Sequence, residues 1–446
     1  MSKPAYLTGG EPARLIPVTA DSKKEERATS ILLATMMSVD EFRRKMLGSL
    51  KIKTGSRAHL HAWTEIKLDD GKKAREKKNH DRPDGLLVVN TGQKEWHALV
   101  EAKIGNSELS EDQLTHYLKR ARDHKIDALI TVSNQFVALP THHPVRVSKT
   151  LLRGVDLFHW SWMYVVTQAS LLLQEDAIKS DDQRFILEEA LRYFNHESSG
   201  VTTFDRMNPE WKDVVGKVQS GAPLKKTAEE VQNTVTHWHQ EQRDLCLLMS
   251  RRLGAQVNTK LPRAHLKDAD KRLKDDCETL VKDRILSCTL DIPDAAADLE
   301  ITANLLKRTI RCGMKIDAPG DKKSTKARVN WLTRQLKNTE TDGIYIKATR
   351  PGRAPETQAP LAEVMSDPEI LDTEGTDVVA TGFEVFYMLD LANRFAGNQV
   401  FISELEKAVP HFYEQAGERL RAWVAPPPKL KAKDPAERSE NTDDEA

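Results

Sequence analysis

The sequence predicts a protein of the α/β (α+β) class, in which helices and strands alternate near the N-terminus. Two observations support this prediction: apolar residues recur with a helical period before residue 47, and short runs rich in apolar and β-branched residues follow. With 446 residues, 39% of them hydrophobic, the chain is long enough for two or three domains with packed cores.

Residues 1–150 contain the predicted elements in the order α-β-β-β-α-β. The first helix is predicted at 22–47, where apolar side chains fall at three- and four-residue spacing. The second helix is predicted at 110–125, where Tyr117 belongs to an apolar face. The strand-like runs are 59–68, 83–89, 95–104 and 127–134. These elements form the first predicted domain.

Three further segments complete the predicted organisation. A mainly helical connector is expected at 151–220, and it includes the run FHWSWMYVV. A mixed α+β domain for recognition or regulation is expected at 221–425. Its predicted helices lie at 227–253, near 329–337 and at 401–423, and its predicted strands at 285–292 and 343–350. The tail at 426–446 has almost no apolar residues, which is typical of disorder.

The composition limits the class of protein and its compartment. The formal net charge of +0 gives no overall basic character, although basic patches can occur on a neutral chain. Neither a signal peptide nor an apolar run long enough to span a bilayer is found, so we expect a cytoplasmic protein without membrane contact. The four cysteines lack CxxC spacing, which argues against a zinc site and for reduced thiols.

The second and third strand-like runs predict a hairpin that brings two carboxylates together. They flank NTGQKE, in which Asn and Gly favour a turn. If the hairpin is centred between Gly92 and Gln93, Asp84 lies opposite Glu101 on the same face of the sheet. Lys103 follows Glu101 by two residues and therefore points to that face as well.

Two opposed carboxylates beside a lysine form a set of groups that suits phosphodiester hydrolysis. The carboxylates repel each other unless a cation neutralises them, and Mg²⁺ binds to one or two carboxylates together with waters and substrate phosphate. Such a metal acts as a Lewis acid on the phosphate and lowers the pKa of a bound water. A neighbouring lysine can orient that water or stabilise the developing charge.

RPDG at 82–85 followed by EAK at 101–103 resembles the PD-(D/E)XK nuclease superfamily. The resemblance covers roughly residues 20–135, and the α-β-β-β-α-β order is similar to that superfamily's restriction-endonuclease-like core with a mixed sheet. It implies that Asp84 and Glu101 are catalytic metal ligands for Mg²⁺, with Mn²⁺ as a substitute, and that Lys103 is the catalytic lysine.

Three groups outside the central motif are further candidates, and the resemblance implies the first two of them. An acidic residue of the first helix often adds a metal ligand, which would be Glu25, although Glu25 also suits the positive end of a helix dipole. A glutamine early in the following helix often contacts substrate, which would be Gln113, although Ser110 to Gln113 also fits a capping box. Lys77 and Lys78 belong to a basic loop at 71–80 that either contacts substrate phosphates or is simply solvated.

The function predicted from the sequence is a metal-dependent nuclease, with DNA favoured over RNA and with prokaryotic defence or restriction as its setting. Two alternatives stay open: a catalytically silent, nucleic-acid-binding scaffold subunit, and an RNA-directed nuclease. The sequence also leaves open whether the protein acts as a homodimer or with a defence-system partner protein.

Overall fold

The computed structural model describes residues 4–20, 22–55, 58–69, 82–90, 94–373, 378–425 and 427. These residues form a mixed α/β protein built on one mixed sheet and one antiparallel sheet. Lys77, Lys78 and almost all of the tail predicted to be disordered lie outside the described residues. Among the described residues, no helix has both the length and the apolar character needed to cross a bilayer.

The first sheet contains six strands, and their spatial order follows the sequence. The strands are β1 (Leu7–Pro12), β2 (His59–Leu68), β3 (Gly85–Asn90), β4 (Glu95–Ala102), β5 (Ala128–Ser133) and β6 (Asp156–Ser161). Neighbours are antiparallel from β1 to β4 and parallel from β4 to β6. The four strand-like runs predicted from the sequence are confirmed as β2 to β5.

Helices lie against both faces of the first sheet. They are α1 (Lys24–Ser38), α2 (Asp40–Ser49) and α3 (Glu111–Asp123). Because successive residues of a strand point to opposite faces, Val100 and Ala102 of β4 join the core beneath α1, whereas Leu99 packs with α3. Glu101 therefore points to the side of α3, where Gln113 contacts it.

The single helix predicted at 22–47 is wrong, because the chain breaks it into α1 and α2 at Val39. This residue has the extended angles φ −113° and ψ 107°, and its N–H caps α1 by donating to the carbonyl of Thr35. Asp40 and Glu41 then occupy the first turn of α2, where acidic side chains favour the positive end of the helix dipole. The apolar spacing runs through the break, so periodicity alone does not reveal it.

The prediction of helix for all of FHWSWMYVV is also wrong. Its first four residues end β6, whereas the remainder begins α4 (Trp162–Gln174). Ser161 marks the change, since its hydroxyl accepts a hydrogen bond from the N–H of Tyr164 at 3.1 Å and caps the helix. A short, continuous apolar run has no period that separates a buried strand from a buried helix. The first sheet thus extends to residue 161.

The remainder of the chain forms a helical layer and the second sheet. The helices of the layer are α5 (Asp181–Asn195), α6 (Trp211–Gln219) and α7 (Glu229–Leu253). The strands are β7 (Asn258–Thr259), β8 (Ile285–Asp291), β9 (Leu299–Asn304), β10 (Thr309–Asp317), β11 (Ile344–Thr349), β12 (Thr357–Pro360) and β13 (Gly382–Asp390). Their spatial order is β12-β11-β13-β10-β9-β8-β7, and every neighbouring pair is antiparallel.

Five further helices surround the second sheet. They are α8 (Arg263–Lys267), α9 (Ala269–Asp283), α10 (Thr325–Gln335), α11 (Leu361–Ser366) and α12 (Asn398–Gln415). The last helix was expected at 401–423 but ends at Gln415, where a short 3-10 turn at Gly417–Arg419 replaces it. A side chain at Gly417 would approach the ring of Tyr413 within 2.8 Å, so the chain turns closely over its own helix there.

Candidate active site

The hairpin of β3 and β4 has the register predicted from the sequence. Its pairs run from Gly85 with Val100 to Asn90 with Glu95, and one further step places Asp84 opposite Glu101. The carboxylate of Asp84 accepts a hydrogen bond from the backbone N–H of Ala102 at 2.8 Å. Asp84 is therefore fixed beside the end of β4.

The two oxygens of the Glu101 carboxylate have different surroundings. Only 1% of Glu101 is exposed. Its Oε1 accepts hydrogen bonds from Lys103 Nζ at 2.7 Å and from Gln113 Nε2 at 2.6 Å. Its Oε2 is buried without a hydrogen-bond partner among the described residues. A buried carboxylate oxygen in this condition calls for a cation or a water to complete its contacts.

Glu25 lies close to this set at the start of α1. Its Oε1 accepts a hydrogen bond from the backbone N–H of Ile104 at 3.3 Å, and its Oε2 is 3.6 Å from Lys103 Nζ. Lys103 is thus held between Glu25 and Glu101. Within the described ranges, no three His, Cys, Asp or Glu side chains form a group spaced to hold a metal ion. The contacts that the structure gives to the Glu25 carboxylate are with the Ile104 N–H and with Lys103.

The main chain of Lys103 is held from two directions. Its N–H donates to the carbonyl of Val132 in β5 at 2.8 Å, which continues the parallel ladder beyond Ala102. Its carbonyl accepts a hydrogen bond from the indole Nε1 of Trp162, the first residue of α4, at 2.9 Å. Lys103 therefore projects from rigid backbone, as a positioned ammonium group requires.

The structure shows Gln113 at the cap of α3, whereas its contact with substrate stays a prediction. Its backbone N–H donates to Ser110 Oγ at 3.2 Å and caps α3, while its side chain reaches Glu101. Gln113 Nε2 also lies 3.4 Å from Tyr117 Oη, which donates to the backbone carbonyl of Arg82 at 3.1 Å. The sequence assigned Tyr117 only to an apolar face, yet its four-residue spacing from Gln113 on α3 places the two side chains together.

The charges of the site favour a bound cation. Burial, and then the neighbouring Glu101, raise the pKa of Asp84 well above its usual value. Burial also raises the pKa of Glu101, although Lys103 partly offsets this effect. Burial lowers the pKa of Lys103, but the carboxylates of Glu101, Asp84 and Glu25 together outweigh burial and the net direction is upward. Both carboxylates therefore hold a proton more strongly than an ordinary carboxylate does, and a counter-charge is needed when both are ionised.

The donor set fits Mg²⁺. The available groups are carboxylate oxygens from Asp84 and Glu101, and Mg²⁺ prefers hard oxygen ligands. One or two carboxylates are enough for this ion, because waters and substrate phosphate complete its coordination. The unpartnered Oε2 of Glu101 is the specific feature that such an ion would satisfy.

A second polar row lies beside the site and was not found from the sequence. The register of the parallel strands places Glu101, Thr131 and His159 side by side on one face. Thr131 Oγ1 contacts His159 Nδ1 at 2.8 Å and His143 Nε2 at 2.9 Å, and His159 Nε2 donates to the carbonyl of Gln135 at 2.8 Å. Burial lowers the pKa of His159 to about 3 and that of His143 to about 4. Both histidines are neutral at pH 7, and they tie the connection between β5 and β6 to the sheet.

Compared with protein-family models, curated proteins and solved structures, the chain gives no match. The function of this chain is therefore inferred from the geometry and charge of the site itself.

Proposed function

We propose that this protein is a metal-dependent nuclease whose N-terminal part is a restriction-endonuclease-like core of the PD-(D/E)XK type. One observation carries the proposal. The buried carboxylate of Glu101 lies next to Asp84 and has one oxygen fixed by Lys103 and Gln113, while its other oxygen has no hydrogen-bond partner in the described part of the chain. Most buried carboxylate oxygens are paired, so an unpaired oxygen next to a second carboxylate marks a position that a cation would fill.

Each residue of the set has a role in this mechanism. Asp84 and Glu101 would hold Mg²⁺, which supplies Lewis acidity toward the scissile phosphate when bound. The ammonium of Lys103 orients the attacking water and stabilises negative charge that develops on the phosphate. Gln113 fixes the rotamer of Glu101, and Tyr117 ties α3 to the backbone carbonyl of Arg82, two residues before Asp84.

The proposed substrate is DNA, and the proposed setting is prokaryotic defence or restriction. The likeness of the RPDG and EAK motifs to those of restriction enzymes supports this choice. A homodimer, or a partner protein, would supply the second site that cleavage of both strands of a duplex needs.

The direct test is cleavage of supercoiled plasmid, linear duplex DNA, single-stranded DNA and RNA, each with Mg²⁺, Mn²⁺ or EDTA. The variants are Asp84→Asn and Lys103→Ala, and the matched control is Asp156→Asn, which changes an exposed aspartate of the same sheet. We expect metal-dependent cleavage of DNA by the wild type and the control, and its loss in both site variants. Cleavage that persists in either site variant, or in EDTA, would overturn the mechanism.

A second candidate function is a silent nucleic-acid-binding scaffold, and one observation favours it. Lys103 already contacts both Glu101 and Glu25, so the charge of the site is partly neutralised without a metal. Titration calorimetry with Mg²⁺ and Mn²⁺ separates the two functions. Binding that Asp84→Asn abolishes supports the nuclease, whereas absence of binding together with absence of cleavage supports the scaffold.

A further inference from the structure

A cleft with a volume of about 420 Å³ lies where the N-terminal sheet meets the helical layer and the edge of the second sheet. Its walls come from α2, from the connection between β5 and β6, from α4, from α7 and from β7. The polar side chains used below are Arg44, Lys45, Tyr164, Gln168, Arg243 and Asn258. None of the residues of the candidate active site lines this cleft.

The charged side chains that line the cleft are all cationic. Arg44, Lys45 and Arg243 face it, and no Asp or Glu is among the described residues that form its walls. Arg44 pairs with Glu41 at 2.8 Å outside the cleft, whereas Lys45 makes no ion pair in the described part of the chain. The cleft therefore has an excess of positive charge on a chain whose formal net charge is zero.

The main evidence for a ligand in this cleft is the environment of Arg243. Only 6% of this residue is exposed, and its guanidinium carbon lies 5.3 Å from the centroid of the Tyr164 ring. No hydrogen-bond acceptor and no carboxylate partner for it is found among the described residues. Because its nitrogen atoms are not fully buried, water in the cleft meets this charge, and an anionic ligand could take the place of that water.

Other buried arginines of this chain show what a structural arginine looks like. Arg43 donates a hydrogen bond to the carboxylate of Asp40 at 2.6 Å. Arg272 donates to the side-chain oxygen of Gln242 at 2.6 Å, and Arg350 donates to the carbonyl of Val378 at 3.1 Å. Each of these buried arginines thus has an acceptor. Arg243 differs from them because it has no acceptor among the residues that the structure describes, and the cleft is the open side of its site.

Neutral polar groups add selectivity next to the cations. Gln168 is 1% exposed, lines the cleft and donates to Gln256 Oε1 at 2.8 Å. Asn258 lines the same wall, and its side chain makes no hydrogen bond within the described ranges. Amides of this kind present donors and acceptors to an uncharged polar part of a ligand. A few convergent polar groups in a concave site are typical of small-molecule binding.

We propose that this cleft binds a small phosphate-bearing ligand of about the size of a mononucleotide. The guanidinium of Arg243 suits phosphate, because its fork of N–H groups matches two phosphate oxygens, and Lys45 adds a second cation that has no ion pair among the described residues. The volume lies within the range of small-molecule sites. The inference does not depend on the proposed nuclease activity, since the cleft and the active site share no residue.

Isothermal titration calorimetry of the full chain tests the proposal, with inorganic phosphate, adenosine monophosphate and citrate as probes. The variants are Arg243→Gln and Lys45→Gln, and the matched control is Arg252→Gln, an exposed arginine of the same helix as Arg243. We expect binding of phosphate and adenosine monophosphate with one site per chain. Because a hydrogen bond to a charged group contributes about 1.5–3 kcal/mol, we expect Arg243→Gln to weaken binding by about tenfold or more.

The controls separate this site from non-specific attraction. Lys45→Gln carries the test if Arg243→Gln fails to fold, since Lys45 is only half-buried. Unchanged affinity in Lys45→Gln and Arg243→Gln would overturn the proposal, as would the absence of binding by any probe at millimolar concentration. Tighter binding of citrate than of both phosphate compounds would overturn the assignment of the ligand class. Displacement of adenosine monophosphate by a short single-stranded DNA would assign the cleft to nucleic acid.

Discussion

Asp84→Asn should stabilise the metal-free protein while it abolishes metal binding and cleavage. Asparagine keeps an oxygen that accepts the hydrogen bond from Ala102 N–H, and it removes one of the two neighbouring charges. Two unit charges about 5 Å apart at an effective dielectric constant of about 20 repel each other by roughly 3 kcal/mol. Lys103 already offsets part of this repulsion at Glu101. We therefore expect a gain of about 1–2 kcal/mol in the free energy of unfolding at pH 8.

The dependence on pH follows from the direction of the pKa shift. The pKa of Asp84 is raised in the folded state, so the folded protein binds more protons than the unfolded chain at intermediate pH. The wild type consequently loses stability as pH rises from the ordinary value of 3.8 through the raised value. The advantage of Asp84→Asn should be full at pH 8 and should vanish near pH 3.8.

Urea denaturation at pH 4 and pH 8, with and without Mg²⁺, measures both effects. Mg²⁺ should stabilise the wild type and the control Asp156→Asn, because a ligand that binds only the folded state adds to its stability, and it should leave Asp84→Asn unchanged. Three results would contradict the proposed charge repulsion and metal site. They are lower stability of Asp84→Asn than of the wild type at pH 8, the same effect of the substitution at both pH values, and equal stabilisation of variant and wild type by Mg²⁺.

Three further predictions concern buried or half-buried polar groups. Gln113→Ala should slow cleavage by about tenfold or more, because its side chain holds Glu101. Thermal stability should not fall, because the helix cap uses the backbone N–H of this residue. Lower stability with an unchanged cleavage rate would contradict the role of Gln113 in positioning Glu101. Glu241→Leu should raise the free energy of unfolding at pH 7 by about 1–3 kcal/mol, and by less near pH 4.5. The reason is that burial raises the pKa of Glu241 and that neither carboxylate oxygen has a partner among the described residues. Equal or lower stability of the variant in urea at pH 7 would contradict this prediction. His143 and His159 have lowered pKa values in the folded state, so the free energy of unfolding should fall as pH drops below 6.5. The fall should be up to about 1.4 kcal/mol per pH unit for each histidine. If the free energy of unfolding of His159→Gln depends on pH as steeply as that of the wild type, His159 does not contribute.

The register of the candidate site could be predicted because it depends on local information. The turn-forming residues between two apolar runs and the two-residue period of a strand are enough to pair Asp84 with Glu101. The capping role of Gln113 is likewise local, since Ser110 precedes it by three residues. These features need no knowledge of how distant parts of the chain pack.

Other features depend on packing and could not be predicted in this way. β1 has the sequence LTGGEP, whose glycines and proline give it little strand character, and it forms because β2 offers it an edge. The row from Glu101 to His159 requires the parallel register of three strands whose connections are long. That Arg243 has no acceptor among the described residues becomes visible only when α2, α4 and α7 are in place.

The hairpin register also limits how the length of this chain can change during evolution. Strand side chains alternate between the two faces of a sheet, so slipping β4 by one residue against β3 would exchange the neighbours of every residue in it. Ala102 would then replace Glu101 opposite Asp84, although no substitution had occurred. Insertions between Asn90 and Glu95 can be inherited only if the added residues leave that pairing intact. Homologous chains that retain the chemistry should therefore vary in the length of this connection but not in its effect on pairing.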